Sequence, residues 1–499
     1  INCRYRIYFF RAPRLQTLFD TFFLVRKDFS DHALAPHSIP FSQAWDIQES
    51  AYNSRWNEKG NYYPCLPAKL LDFQIGWVGG AMAAYALFVE GGELSKQRVR
   101  LMVDRIVTTM QSESGLFLSS GKDEAVYSDG IWGSWPNDMH AIRKSGDALY
   151  FFMKMLIFMR KQGELIPEAW GDAFRRMADA FVQIWEKYGQ FGQFININTG
   201  DIIIGGSSAG GIAPAALALS YVWYGDERYL QSAESAATYY YEKDVLMGVT
   251  TGAPSEILQC PDSESAYALF DSFITLYEVT GKQHWLDVAC EMAHQCATWN
   301  VSYNYRFPEK SEFARLEMHT LGSVIANVQN KHSAPGICTL SGDAWFKLYR
   351  YTRNPLYMSM IKETAHHLPL YLSRDDRPIL SWDKPPKQLP AGMMCERVNM
   401  SDWEGREKIG EVFYGITWPE ISNMLAYTEL PGIYIDPQNR EVHVLDHVEA
   451  QFVDDSSSVC LIQNPTAYHA VVKVFVENAA NAWFKLELFP GEKVYKNFM

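Results

Sequence analysis

Carboxylates, imidazoles and guanidinium groups gather at four places in this 499-residue chain, and those places bound its chemistry. The first is Trp135-Pro136-Asn137-Asp138-Met139-His140-Ala141-Ile142-Arg143-Lys144-Ser145-Gly146-Asp147. Its spacings of three and four put His140, Arg143 and Asp147 on one helix face. Asp138 stands where that helix would begin, as a general acid or as an N-cap. Arg143 could fork onto a ligand carboxylate or sit in a buried ion pair. The second is Cys260-Pro261-Asp262-Ser263-Glu264-Ser265-Ala266. Pro and Asp mark a helix start, so Asp262 is an acid or a cap, and Glu264 does not share its face. The third, Asn330-Lys331-His332-Ser333-Ala334-Pro335-Gly336, offers Asn330 and His332 to sugar hydroxyls. The fourth is Cys395-Glu396-Arg397 … Ser401-Asp402-Trp403-Glu404. There Glu396 suits acid catalysis, Arg397 a carboxylate and Trp403 ring stacking; a salt-bridged surface loop is the alternative.

Two carboxyl groups on opposite sides of a glycosidic bond make a hydrolase, and inverting enzymes hold them ~6.5–9.5 Å apart to admit a water. Asp138 or Asp262 paired with Glu396 is the expected combination. A rival signal is Gly206-Ser207-Ser208-Ala209-Gly210, a G-x-S-x-G match after the apolar run Ile202-Ile203-Ile204. A serine esterase of that kind needs strands alternating with helices, whereas this chain reads as helix after helix. Ser208 is therefore expected at a close-packed helix start, with backbone N–H groups able to face a sugar carboxylate. Cys290, His294 and Cys296 look like a metal cluster, but on a helix Cys296 points elsewhere, so core packing is expected. Neither an HExxH nor a P-loop lysine motif is present, and no metal or organic cofactor is implied.

These groups must be held by helices. Apolar periodicity marks helices at 72–90, 97–113, 138–162 and 168–188, several of them stopped by glycine. One pattern repeats three times. Tyr224-Gly225-Asp226, Thr280-Gly281-Lys282 and Thr352-Arg353-Asn354 are tight turns between an apolar helix and a second helix that opens with an aromatic. Polar helix starts near Asp72, Arg143, Ser208, Asp262, His332 and Tyr414 recur every roughly 55 to 80 residues, the length of a two-helix repeat. Six such hairpins closing on themselves form an (α/α)6 toroid with its cleft at the inner-helix starts; an open solenoid is the alternative. Residues 1–65 read as an irregular arm packed on a toroid at 66–430. From 431 to 499, β-branched runs at 441–452, 459–463, 470–477 and 482–489 alternate with turns, which predicts a small antiparallel β domain.

Composition agrees with a sugar-binding globule. Aromatics reach 14%, with 15 Trp and 28 Tyr, enough for helix packing and for a site that stacks flat ligands. The net charge of −13 disfavours nucleic acid and anionic membranes as partners. It permits a homo-oligomer without arguing for one. No run is long enough to span a membrane, and 7–24 is too broken by Arg11, Pro13 and Arg14 for a signal peptide. A cytoplasmic and a periplasmic home stay equally open.

Three of these segments resemble the β-glucuronidases of glycoside hydrolase family 154: Gly205-Gly206-Ser207-Ser208-Ala209-Gly210-Gly211-Ile212-Ala213-Pro214, residues 330–336, and Cys395-Glu396-Arg397-Val398-Asn399-Met400-Ser401-Asp402-Trp403-Glu404-Gly405. The likeness covers roughly residues 65 to 499. More loosely, Leu71-Asp72-Phe73-Gln74-Ile75-Gly76-Trp77 is similar to a helix start of the unsaturated glucuronyl hydrolases. Asp262-Ser263-Glu264-Ser265-Ala266 is similar to their Asp-Ser-Ser-Ala-x-Ala segment, with Glu264 departing from it. In that group the acid protonates a C4=C5 double bond instead of the glycosidic oxygen. The resemblance implies an (α/α)6 enzyme acting on uronides and leaves the acid unassigned. The combined expectation is an exo-acting hydrolase of a terminal, saturated or unsaturated glucuronic acid on an oligosaccharide or polysaccharide. Asp138, Asp262 and Glu396 are its candidate catalytic groups; Asp72, His140, Arg143, Asp147, Ser208, Asn330, His332, Arg397 and Trp403 are its candidate binding groups. A lyase or epimerase with a His or Tyr base on the same toroid, and a non-catalytic sugar-binding protein, are the alternatives.

Overall fold

The computed structural model describes residues 6–30, 33–64, 73–132, 136–254, 259–413, 415, 418–454 and 458–498, with backbone alone for Ile131 and Trp132. Asp72, as helix start and as binding residue, and the helix start expected at Tyr414 lie outside these residues. The helices are α1 (Gln16–Arg26), α2 (Phe41–Ser54), α3 (Ala81–Val89), α4 (Glu93–Thr109), α5 (Ile142–Gln162), α6 (Glu168–Tyr188), α7 (Ala213–Tyr224), α8 (Glu227–Tyr240), α9 (Ser263–Thr280), α10 (Gln283–Ala297), the one-turn α11 (Glu312–Arg315), α12 (Asp343–Thr352), α13 (Pro355–His366) and α14 (Trp418–Glu429).

Sequence period sorts them into two layers. In α6, Trp170, Phe174, Met177, Phe181 and Ile184 recur at helical spacing and are all buried, while the other face is charged. Such one-faced helices form the outer layer. In α3 and the first half of α7 nearly every residue is buried, alanines dominate, and no polar face exists. A helix that is apolar all round needs neighbours on every side. It finds them here: α3 packs on α5, α5 on α7, α7 on α9 and α9 on α12, while α14 packs on α3. The Thr339 N–H, in the segment leading into α12, donates to Ser422 Oγ of α14 at 3.0 Å and joins the last two. α7, α9 and α12 each hand over to their outer partners α8, α10 and α13 through a tight turn. The three repeat turns place Gly225, Gly281 and Arg353 in the left-handed region, at φ 70°, 65° and 59°. Arg353 takes the glycine's place there and anchors its guanidinium 2.9 Å from Asp436 of the β domain.

Several boundaries differ from expectation. The helix predicted over 72–90 begins only at Ala81, because Phe73–Gln74 forms strand β1 and Gly79 turns at φ +71° against the Tyr63 carbonyl. The helix predicted over 97–113 runs from Glu93 to Thr109. β1 pairs with β2 (Ser120–Lys122), which pairs with β3 (Ala125–Tyr127). The helix expected from Asp138 begins at Ile142, since β4 (Met139–Ala141) is claimed by β5 (Phe194–Asn196), which also pairs with β6 (Ile202–Ile204). β7 (Val324–Ile325) pairs with β8 (Ser333–Ala334). The stretch read as irregular at the N-terminus holds α1 and α2. α1 packs on α10, and α2 packs on α14, where a sixth outer helix is needed.

The C-terminal strands are β9 (Ile433–Asp436), β10 (Glu441–Val444), β11 (Glu449–Phe452), β12 (Val459–Gln463), β13 (Ala470–Val476), β14 (Trp483–Leu488) and β15 (Lys493–Asn497). They form two sheets, ordered β10-β9-β13-β14 and β11-β12-β15. Ile433, Ile435, Val472 and Val474 of one meet Cys460 and Ile462 of the other in a single apolar cluster. The expected all-antiparallel pairing is corrected at one ladder: β9 and β13 run parallel, because the chain leaves β9 through three strands before returning beside it.

Candidate functional site

A cleft of about 490 Å³ opens at the N-terminal ends of the inner helices. Its wall is built from helix starts and the segments just before them. Lys144 comes from the first turn of α5, Glu264 from that of α9, and Trp418 from that of α14. Gln74 and Trp77 precede α3, and Cys338 and Thr339 precede α12. Asn327, Asn330, His332, Glu396 and Arg397 arrive on two loops. Short bridges fix these loops. Asp262 bridges Asn327, and Ser333 bridges Val398, with the Val398 N–H donating to the Ser333 carbonyl at 2.7 Å. The Glu396 N–H donates to the Phe413 carbonyl at 2.9 Å. His332 and Glu396 are thereby held on adjoining strands of backbone.

Glu264 is positioned from below. Arg143 donates to its Oε2 at 2.8 Å, to Asp147 Oδ2 at 2.9 Å, and to Thr339 Oγ1. The Trp77 indole N–H donates to the same Asp147 oxygen at 2.7 Å. Burial alone would lower the Arg143 pKa, but the carboxylates of Asp147 and Glu264 overcome it and push it up. Arg143 is 1% exposed, so its fork is spent on Glu264 and is not presented to a ligand. Asp147 is buried beside it.

Asp262 is the N-cap of α9 and accepts from the Ser265 N–H at 2.6 Å. It is fully buried behind the cleft wall, and burial, then the charge of Glu264, pushes its carboxyl up to about 7. Asp129 lines the cleft and pairs with Lys144. Burial would raise Asp129, yet Lys144 and His140 hold its carboxyl below the usual range. His140 is buried, with Nε2 2.7 Å from Ser145 Oγ, and burial lowers it to about 4. His332 is buried at the cleft wall. Burial, then the charge of Arg397, lowers it to about 4, and its Nε2 has no partner. It is therefore a neutral base at pH 7. Arg397 stacks over Phe413 at 4.4 Å and pairs with Glu404, while Glu396 Oε1 lies 3.9 Å from its Nε.

Of the residues expected from sequence, Asn330, His332, Glu396 and Arg397 meet in the cleft. Arg143, Asp147 and Asp262 form the layer behind it. Asp138 lies apart from the lining, bonded to Asn196 beside β4. His140 also stays behind the wall. Ser208 is buried away from the cleft and donates to Asp244 Oδ2 at 2.8 Å. Trp403 is 45% exposed and outside the lining. The trio Cys290, His294 and Cys296 is not assembled as ligands: His294 contacts Asp20 at 2.7 Å and Tyr357 at 3.0 Å, and Cys296 is in the core. Sequence reasoning passed over Glu264, Trp77, Lys144, Asp129 and Trp418. For Glu264 a signal existed, since a first-turn carboxylate two residues beyond an Asp cap has its own direction.

With Glu264 and Glu396, a neutral imidazole, an arginine and two indoles, the cleft can bind a polar ring and move protons on it. No family model matches this chain, and no curated protein does. Solved structures do share its fold. The cellobiose 2-epimerase of Spirochaeta thermophila superposes with a TM-score of 0.54 at 10% identity, covering 83% of this chain and 98% of that one. A sugar epimerase from a ruminal bacterium gives 0.51 at 9% identity, over 78% and 98%. A D-mannose isomerase gives 0.50 at 9% identity, over 78% and 96%. At such identities the likeness shows the fold, and the reaction must be argued from the cleft.

Proposed function

We propose that this chain is a carbohydrate-active enzyme on a closed (α/α)6 toroid, hydrolysing a glycosidic bond at the end of a uronate-bearing chain. The observation that carries this reading is the meeting of Glu264 and Glu396 on one cleft from different elements. Arg143 donates to Glu264 Oε2 at 2.8 Å and so fixes the direction of this carboxylate, as a base or nucleophile requires. Glu396 is the general acid. Arg397 offers a cation to the substrate carboxylate, and Trp77 and Trp418 offer apolar faces to the ring. A cleft of this volume suits one chain end better than a long polymer groove. The resemblance to family 154 supports glucuronic acid as the terminal sugar.

Purified protein should be given an aryl β-glucuronide and, in parallel, a disaccharide ending in unsaturated glucuronate. Aryl release supports acid-catalysed hydrolysis. Loss of the ultraviolet absorbance of the unsaturated sugar alone supports protonation of the double bond. Silence on both removes the glucuronidase reading.

One observation favours a second reading. The bare Nε2 of His332 could abstract a proton beside a carbonyl, as an epimerase requires. Solvent deuterium entering a reducing disaccharide such as cellobiose, lost in His332→Ala and retained in Glu396→Gln, would establish that chemistry in place of hydrolysis.

A further inference from the structure

Three imidazoles far apart in sequence meet where the segment before α2, the end of α13 and the β domain join. One ring nitrogen from each of His37, His366 and His447 lies within 4.8 Å of the other two. The rings of His366 and His447 are 4.1 Å apart, and His37 meets both edge-on at 5.7 and 6.0 Å. None of the three lines the cleft described above.

His366 faces more acceptors than a neutral imidazole can serve. His366 points Nδ1 at the Leu445 carbonyl (3.2 Å) and Nε2 at the Ala35 carbonyl (3.0 Å). Two carbonyls call for two N–H groups, and a neutral imidazole has one. His447 Nδ1 accepts the Ser38 N–H at 2.9 Å, so the ring proton sits on Nε2, which is buried and has no partner. A cavity of about 740 Å³ leads to this group, and Asp446 and Glu449 add acidic groups to its wall.

We propose that His37, His366 and His447 form a binding site for a divalent first-row transition metal of the zinc class, fastening the N-terminal segment to the β domain. His366 keeps its Nδ1–H on the Leu445 carbonyl, the orienting bond that metal-bound imidazoles usually have. Its Nε2 lone pair then faces the ion instead of the Ala35 carbonyl alone, and that carbonyl oxygen is within reach as a further ligand. His447 binds through Nε2 once its proton has moved to Nδ1. The Ser38 amide gives up its acceptor in that step, so the segment around it shifts on binding. Zinc–nitrogen bonds of ~2.0–2.1 Å bring ligand nitrogens to ~3.3 Å in a tetrahedron. The exposed His37 supplies the closing movement. Imidazole donors select zinc, copper or nickel over magnesium and calcium.

The test uses the full chain, stripped with a chelator and titrated with Zn²⁺ and, separately, Co²⁺. The expected result is one equivalent bound with a Kd below ~1 μM, a rise in Tm, and the intense visible absorption of tetrahedral Co²⁺. His447→Ala removes binding. Because His447 is buried, His37→Ala is the companion variant: it leaves the Tm of the metal-free protein unchanged and weakens binding at least ~10-fold. His332→Ala binds as the wild type does. No binding at ~100 μM metal, undiminished binding in His37→Ala, or binding lost in His332→Ala would each overturn the proposal. The readouts are independent of turnover, so they stand whatever reaction the cleft performs.

Discussion

The inner helices carry ionisable side chains at two depths, and the two sets behave oppositely. Glu264 and Lys144 at helix starts, with Glu396 and Arg397 on loops, border a cleft open to solvent. Deeper among the inner helices, Lys154, Asp271, Asp343, Lys347 and Glu429 lie together with Tyr150 and Ser341. There most charges are answered from within. Lys154 pairs with Glu429, Lys347 lies 3.0 Å from Asp343, and Ser341 Oγ donates to Asp343 Oδ1 at 3.2 Å. Burial would raise Asp343, but Lys347 and Lys154 bring its carboxyl down to about 2. Asp271 is left without a cation of its own. Burial, then the charge of Asp343, raises it well above the usual range, which favours its protonated form. The comparison separates structure from chemistry. A buried network that closes on itself holds helices together, whereas groups facing a cavity, one of them the bare Nε2 of His332, are available to a ligand.

The largest effect expected from this contrast is on rate. Glu264→Gln and Glu396→Gln should each lower kcat/KM on the order of 10³-fold, and Glu396→Gln should leave Tm within a few degrees. Denaturation curves run beside the kinetics would check the second half. A variant that lost activity and stability together would place its carboxylate in the structural set.

Next in size is the packed centre. Lys154→Met leaves Glu429 buried without its cation and should cost about 3–5 kcal/mol in urea unfolding. Activity per folded molecule should be preserved. Unchanged stability would mean that water reaches the centre, and the distinction between the two depths would fail.

Asp271→Asn should act more weakly and in the other direction. Asn imitates the protonated carboxyl, whose Oδ1 accepts from Tyr150 at 3.2 Å. A folded-state pKa above the unfolded value means that the folded chain binds the extra proton. The stability Asp271 contributes is then full below about pH 3.8 and is lost as pH rises through the raised value. Wild type should therefore lose stability with rising pH across that window, and the variant should lose less. Thermal melts between pH 4 and 8 that ran parallel for the two proteins would show Asp271 to be ionised.

How far all this could be read from sequence depends on the range of the forces involved. Hairpins were legible because period and turn chemistry are local: α6 was expected over the residues it occupies, and the turns at Gly225 and Gly281 carry the left-handed residue their sequence demands. Boundaries failed where a distant strand competed, as β5 does for Met139–Ala141. In the cleft, Asn330, His332, Glu396 and Arg397 stood out because they cluster in sequence. Glu264 lies in such a cluster too, but its direction is set by Arg143, 121 residues away. The meeting of His37, His366 and His447 was invisible for the same reason: only the packed fold brings 37, 366 and 447 together.

The smallest effect should come from Trp403, which sequence alone placed beside Glu396 and Arg397. Its ring is 45% exposed and outside the cleft lining. The loop that carries it is tied to the cleft through the Glu404–Arg397 pair. Replacing an exposed side chain with no buried partner usually shifts stability by less than ~0.5 kcal/mol. Trp403→Ala should therefore leave Tm unchanged and alter KM for a short substrate less than ~3-fold. An exposed indole can still stack on a sugar further along the chain. Comparing a disaccharide with a longer oligosaccharide measures this directly. If the loss of affinity appeared only with the longer chain, the binding surface would extend past the cleft mouth onto this loop. If it appeared with both, Trp403 would close over the first ring, and the border between the chemical and structural regions would move outward to include it.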